Sequence, residues 1–180
     1  MKKELFQKIE IPKEVEIEII GNIVNVKGDE GENSKKFNLG KLKMEIKDGK
    51  VVVGNKTSTK TEKRMMNTIV AHIKNMIKGV QEKFIYELKI ASSHFPMSVE
   101  IKDDKAIVKN FLGEKIPRKL SIPKKAEVEM NGDKITIKSI DKEIAGQAAA
   151  NFEKATRITN RDRRVFQDGI YITNKVGKEM

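Results

Sequence analysis

Three arginines fall within four residues, at Arg161, Arg163 and Arg164, and Arg157 lies one helical turn before the first of them. The whole chain has six arginines, so the cluster is a concentration and not a background. A guanidinium is a planar, permanently charged fork whose donors match phosphate oxygens and guanine edges. The segment follows an alanine-rich helical stretch and closes with Asp168-Gly169-Ile170-Tyr171, read as a glycine turn and an aromatic. A merely solvated charged face needs no such order. The chemistry indicated is capture of a polyanion that presents bases as well as phosphates. Asp162, set among the arginines, reads as a cap or local partner that orients them, because aspartate readily bonds nearby backbone N–H groups.

A second basic run extends from Lys105 to Lys125 and contains Lys109, Lys115, Arg118, Lys119 and Lys124 against one acid, Glu114. Phe111 and Gly113 lie inside it, and a glycine allows close approach of a nucleic-acid backbone while the cations neutralise phosphates. Alternation at Ile116, Leu120 and Ile122 equally describes a plain strand with its charges in water. Phe166 and Tyr171 carry two readings as well, stacking on bases or packing of the tail onto its own module.

The residues an enzyme would need do not converge. The histidines are His72, one position off a helical apolar stripe, and His94, in a loop before Phe95-Pro96, where it either shapes the loop or meets RNA. There is no HExxH pattern and no nucleophile elbow. Gly28-Asp29-Glu30-Gly31 is acidic and would repel phosphate. Glu14, Glu16 and Glu18 alternate along one strand and line a solvent face. With no cysteine, disulfides, thiolate metal sites and thiol nucleophiles are excluded. No cofactor and no metal are expected.

The chain has 180 residues, a net charge of +11, 35% charged residues and 38% hydrophobic ones. That balance suits a soluble protein with an acidic partner. No stretch reaches the ~18 consecutive apolar residues of a membrane span, and Met1-Lys2-Lys3-Glu4-Leu5-Phe6 lacks the apolar core of a signal peptide. A cytoplasmic location and no membrane partner are the expectations. Bulk charge does not choose between the halves: residues 1–80 carry 17 bases and 11 acids, residues 81–180 carry 20 and 15. Arginine does choose, since five of six stand at or after position 118.

The elements that position these groups come from a unit used twice. Residues 11–26 read IPKEVEIEIIGNIVNV and residues 122–137 read IPKKAEVEMNGDKITI. Both alternate with period 2 around Gly21-Asn22 or Gly132-Asp133, which predicts a β-hairpin with its apolar face on Val15, Ile17 and Ile19 or on Ala126, Val128 and Met130. Asp48-Gly49 marks another hairpin, and Val99 to Val108 supplies a counterpart that precedes the IPK hairpin. The halves are thus similar units whose strands are met in a different order. Thr59 and Glu62 form a capping box ahead of Met66, Ile69, Val70, Ile73, Met76 and Ile77, with Gly79 as the stop. Asp141 caps a second helix with the stripe Ile144, Ala145, Ala148, Phe152 and Ala155. The methionines read as core filler, and alanines 148–150 let the second helix lie close to its sheet. The fold class is α+β: two similar modules, residues 1–80 and 81–180, each an antiparallel sheet with one helix on a face, joined by a linker at residues 79–83.

Arg161, Arg164, Phe166, the run Asp168-Gly169-Ile170-Tyr171-Ile172 and Lys175 resemble the C-terminal signature of the large-subunit ribosomal protein L-six family, archaeal and eukaryotic type. Ala91-Ser92-Ser93-His94-Phe95-Pro96-Met97 and Asn110-Phe111-Leu112-Gly113-Glu114-Lys115 with Pro117-Arg118 agree with the same family, so the resemblance spans residues 91 to 175. One departure is Lys154, where the family pattern has a glutamine a few residues before the basic cluster. The resemblance implies a structural constituent of the large ribosomal subunit, not an enzyme. It implies binding to large-subunit rRNA mainly through the C-terminal module, near the sarcin–ricin loop and the landing site of translational GTPases, with ribosomal proteins as neighbours. The residues expected to meet rRNA are Lys109, Lys115, Arg118, Lys119, Arg157, Asn160, Arg161, Arg163, Arg164, Tyr171 and Lys175. The alternatives are a nucleic-acid module outside the ribosome, for which the chain lacks an aromatic platform motif, and an enzyme acting on an anionic substrate.

Overall fold

A computed structural model of the chain describes residues 3–93 and 95–179; His94, with its loop-shaping or RNA-contacting role, lies outside the described residues. Two units emerge, Met1–Lys83 and Phe84–Met180. The first contains β1 (Lys3–Glu10), β2 (Glu16–Ile20), β3 (Ile23–Gly28), β4 (Gly31–Lys36), β5 (Lys43–Lys47), β6 (Lys50–Ser58) and α1 (Lys60–Gln81). Its strands form two antiparallel sheets, ordered β1-β6-β5 and β2-β3-β4. The second contains β7 (Phe84–Ala91), β8 (Ser98–Lys102), β9 (Lys105–Lys109), β10 (Arg118–Ser121), β11 (Glu127–Asn131), β12 (Lys134–Ser139), α2 (Lys142–Ala155), β13 (Gly169–Lys175) and β14 (Lys178–Glu179). Its sheets are β10-β9-β8 and β11-β12-β7-β13-β14. The α+β class with antiparallel sheets and one helix per unit is as expected, with the refinement that each helix packs on strands of both sheets of its unit.

The repeated IPK segments fold alike. Val15 N–H donates to Pro12 C=O and Ala126 N–H to Pro123 C=O, so each proline opens the same tight turn into a hairpin. Gly21 and Gly132 take φ of 60° and 59° at the first loop position, a region glycine enters without a Cβ clash. The inner face of each hairpin is set mostly by its second strand: Val24 and Val26 in β3, Ile135 and Ile137 in β12, all fully buried. Ile17 and Val128 are only half-buried. Met130, expected on the apolar face, is 40% exposed because it lies on an edge strand. Asp48 and Gly49 both take positive φ, which gives the β5–β6 hairpin the twist its strands require.

Topology relates the units more closely than sequence does. If β1, β2 and β3 correspond to β10, β11 and β12, then β4, β5 and β6 correspond to β7, β8 and β9, and both sheet orders coincide. The first unit runs through this set from β1; the second starts at the counterpart of β4 and returns to that of β1. β13 and β14 are additions of the second unit.

The helices are built as their sequences suggest, except at one end. The Glu62 carboxylate accepts the Thr59 backbone N–H at 2.8 Å and the Thr59 hydroxyl, and these bonds hold its pKa below the ordinary carboxylate value. Asp141 accepts Glu143 N–H at 2.8 Å. Gly79 does not stop α1, and of the residues expected to link the units only Glu82 and Lys83 lie between α1 and β7. The helix continues to Gln81 because Val80 is fully buried and its C=O accepts Glu30 N–H at 3.0 Å. Gly28 makes room for it, since a Cβ there would lie 2.9 Å from Val80. Tertiary contact outweighs the roughly 1 kcal/mol helix penalty of a glycine. In α2 the buried face is Ala145, Ala148, Ala149 and Phe152, small enough to bring the helix against β7 and β12. Among the described residues no helix is long and apolar enough to cross a membrane.

Candidate nucleic-acid interface

The arginine cluster occupies residues 157–167, the connection from α2 to β13, and both ends of it are clamped. At the helix end, Thr156 is buried and its hydroxyl oxygen accepts Ile170 N–H at 2.9 Å. At the strand end, Asp168 is 3% exposed and accepts both the backbone N–H (2.8 Å) and the hydroxyl (2.7 Å) of Ser93. A buried carboxylate persists only with such partners. Gly169 is not a turn residue: it opens β13 as Ala91's partner, and a Cβ there would lie 3.1 Å from the Tyr171 ring.

Inside the connection the chain is tied by Asp162. Its Oδ1 accepts Arg164 N–H at 2.9 Å, and its carbonyl accepts Val165 N–H and Phe166 N–H at 3.1 and 3.0 Å. The Arg164 guanidinium forks onto the same carboxylate at 3.2 and 2.9 Å. The Arg164 bonds hold the Asp162 carboxyl below its ordinary range. Asp162 is thus the local partner the sequence suggests, though for Arg164 and not for all three arginines. Arg161 lies over the Phe166 ring, 4.9 Å from its centroid. Phe166 packs on the unit's core, so of its two readings the packing one describes it. Asn160 is exposed with φ 58°, the left-handed conformation that asparagine tolerates and that redirects the chain before the cluster.

The other expected residues separate into groups. Arg118 is engaged inside the protein. Its Nε and Nη2 bond Glu114 at 2.7 and 2.5 Å, and its Nη1 donates to the Ala155 and Arg157 carbonyls at 2.9 and 3.2 Å. Its guanidinium also lies 4.3 Å from the centroid of Phe111. It therefore ties β10 to the last carbonyl of α2, at Ala155, and to the Arg157 carbonyl just beyond the helix end. The bond to Arg118 holds the Glu114 carboxyl below its ordinary value despite some burial. Phe111, 1% exposed, is core and not a stacking surface. Ile116 is 81% exposed and precedes β10, so the expected strand alternation begins only at Leu120. Lys109 is ion-paired with Glu100 across β8 and β9. Lys115 and Lys119 are exposed. Arg157, Arg163 and Tyr171 come together around one cleft. Lys175 does not join them; it ends β13, about 20 Å along the strand from Gly169.

Ser93 and Asp168 stand in the motifs that carry the resemblance, but neither their pairing nor the role of Thr156 is read from the sequence. Their signal was weak: Ser93 and Asp168 are separated by 75 positions, and no local pattern pairs them. In the first unit, His72, one position off the apolar stripe, is half-buried, its ring 6.0 Å from Phe37 and its Nδ1 3.4 Å from Lys35 Nζ.

Two comparisons bear on this arrangement. The family model described as ribosomal protein L6 matches residues 11–83 and 95–169, one stretch in each unit. The chain is 45% identical over 169 residues to the large ribosomal subunit protein uL6 of Methanobrevibacter smithii, covering 94% of this chain and 95% of that one. It is 41% identical over 175 residues to the protein of the same name from Methanothrix thermoacetophila, covering 97% and 99%, and 41% identical over 172 residues to that of Archaeoglobus fulgidus, covering 93% and 88%. A match in both units, over nearly the full length of each relative, leaves one conclusion: the chain belongs to the ribosomal protein L6 family.

Proposed function

We propose that this protein is a structural, non-catalytic constituent of the large ribosomal subunit that binds large-subunit rRNA chiefly through residues 84–180. The observation that carries the proposal is the clamped connection between α2 and β13. Four arginines, Arg157, Arg161, Arg163 and Arg164, are exposed on a segment fixed at Thr156 and Asp168. Flexible cations lose conformational entropy on binding, whereas a tied array has lost much of it beforehand. Lys115 and Lys119 add exposed charge, and Arg118 acts as a positioning residue. Family membership supports the wider setting: neighbouring ribosomal proteins as partners, and a place near the region where translational GTPases act.

The mechanism is phosphate neutralisation by a rigid, shape-matched array. Each phosphate neutralised contributes a slope of roughly −0.7 to −0.9 in log affinity against log salt. The test titrates deproteinised large-subunit rRNA with the full chain and with each unit expressed separately, folding being checked first. The full chain and residues 84–180 should share a steep slope. Comparable binding by residues 1–83 alone, or a flat salt dependence, would overturn the proposal.

A further inference from the structure

Between the end of α2 and the start of β13 lies a cleft of about 390 Å³. Buried Ile158 and Ile170 give it an apolar floor, and Tyr171, 43% exposed, gives it an aromatic wall. Arg157, Arg163 and Lys154 supply three cations at its exposed margin against one carboxylate, Glu153. The ring of Tyr171 is held in place: its hydroxyl donates to Gln167 C=O at 3.1 Å, and the ring rests against Gly169, which has no side chain to push it away.

This combination narrows the ligand. A lone phosphate would need the cations but neither the apolar floor nor the ring. An uncharged apolar molecule would leave three cations without purpose. A paired base is covered by its neighbours in the stack and cannot enter a cleft. A phosphate joined to a free planar face uses the floor, the ring and the excess of cations over Glu153 together, and the volume falls in the roughly 300–1,000 Å³ range of small-molecule sites. We propose that the cleft receives one unstacked nucleotide of the bound RNA. The base lies against Tyr171 over Ile158 and Ile170, and the flanking phosphates meet Arg157, Arg163 and Lys154. The proposal rests on the RNA-binding reading above and adds to it a single-nucleotide site.

The experiment compares the full-length parent with Tyr171→Leu, Tyr171→Phe and Arg163→Gln, each titrated with deproteinised large-subunit rRNA over a range of salt. Tyr86 fluorescence reports folding in the tyrosine variants. Tyr171→Leu should lose on the order of 10- to 100-fold in affinity at every salt concentration, with an unchanged salt slope, because a base stack is lost and no phosphate contact is. Tyr171→Phe, which keeps the ring, should bind within about threefold of the parent. Arg163→Gln should reduce the slope by about one contact. Ultraviolet crosslinking of the parent to the same RNA, read by mass spectrometry, should place an adduct on Tyr171 at a nucleotide that chemical probing finds unpaired. Parent-like binding by Tyr171→Leu, or an adduct at a base-paired nucleotide, would overturn the single-nucleotide site and leave the RNA-binding reading intact. A parent that binds without salt dependence would instead overturn the reading beneath it.

Discussion

Asp168 is the group whose removal tests most directly how the arginine segment is held. Its carboxylate accepts two bonds from Ser93, at 2.8 and 2.7 Å, and is 3% exposed. A hydrogen bond to a charged group contributes roughly 1.5–3 kcal/mol. Asp168→Ala removes both, but the sum overstates the loss because Ser93 is exposed and water reaches its freed donors. We therefore predict a loss of about 2–3 kcal/mol. Asp168→Asn, which keeps one neutral acceptor, should lose about 1 kcal/mol. For a unit the size of residues 84–180 each kcal/mol shifts the midpoint by roughly 4–8 °C, so Asp168→Ala should melt about 10–20 °C below the parent. The assay is unusually clean. The chain has two tyrosines, Tyr86 and Tyr171, and no tryptophan, so intrinsic fluorescence reports the second unit alone. RNA affinity measured well below the melt should also fall by about tenfold, because ordering one or more freed residues costs roughly 1–2 kcal/mol each. A melt within about 2 °C of the parent would refute the assignment of Asp168 as a clamp.

Three further outcomes are expected. Replacing Arg161, Arg163 and Arg164 together by lysine should weaken RNA binding by about 1–3 kcal/mol for each bidentate base contact made, and Asp162→Ala should weaken it too although net charge rises; parent-like lysine binding with tighter alanine binding, at one salt concentration, would reduce the segment to a charge patch. Gly54→Ala should destabilise the first unit by about 3 kcal/mol or more, since the new Cβ would lie 2.2 Å from the Leu5 carbonyl oxygen; methyl resonances of Val51 and Val53 should broaden or shift, and an unchanged spectrum and urea midpoint would contradict the β1–β6 register. Glu114 is held below its ordinary value of 4.5 by Arg118, so its contribution is complete above that pH and is lost as pH falls through the lower folded value; urea midpoints at neutral and acid pH should show a smaller acid-side loss in Glu114→Gln, and an equal loss would remove the pair from the stability account.

What was legible in the sequence was local. Asp48-Gly49, Gly21-Asn22 and Gly132-Asp133 announce hairpins because a two-residue turn is decided by its own φ angles. The Thr59–Glu62 and Asp141 caps are decided within four residues. Gly79 reads as a stop and is not one, because the outcome rests on Val80 meeting Gly28 and Glu30, some fifty positions away. Ile116 and Met130 fit an apolar alternation, but a loop and an edge strand respectively leave them exposed. The site shows the same division. Arginine concentration points to the exposed segment after α2, but type alone does not separate Arg118, engaged with Glu114 and the Ala155 and Arg157 carbonyls, from exposed Arg163. Nor could it show that Tyr171 and Gly169 stand as a pair.

The exchanged order of strands makes the two units differ in time as well as in connectivity. In the first unit β2-β3-β4 is a continuous meander, whereas its other sheet must join Lys3 to Ser58. In the second unit the continuous meander is β8-β9-β10, the counterpart of that slow sheet, and the long closure joins Phe84 to Ser139. Local pairings form before distant ones because loop closure is costlier for longer segments. Two units of one architecture should therefore nucleate on opposite sheets. A chain emerging from synthesis would have each meander ready before the strand that completes its unit arrives. Pulse-labelled hydrogen exchange during refolding should find β2–β4 and β8–β10 protected first; simultaneous protection of β1 and β7 would mean that the order of strands leaves no mark on the folding path.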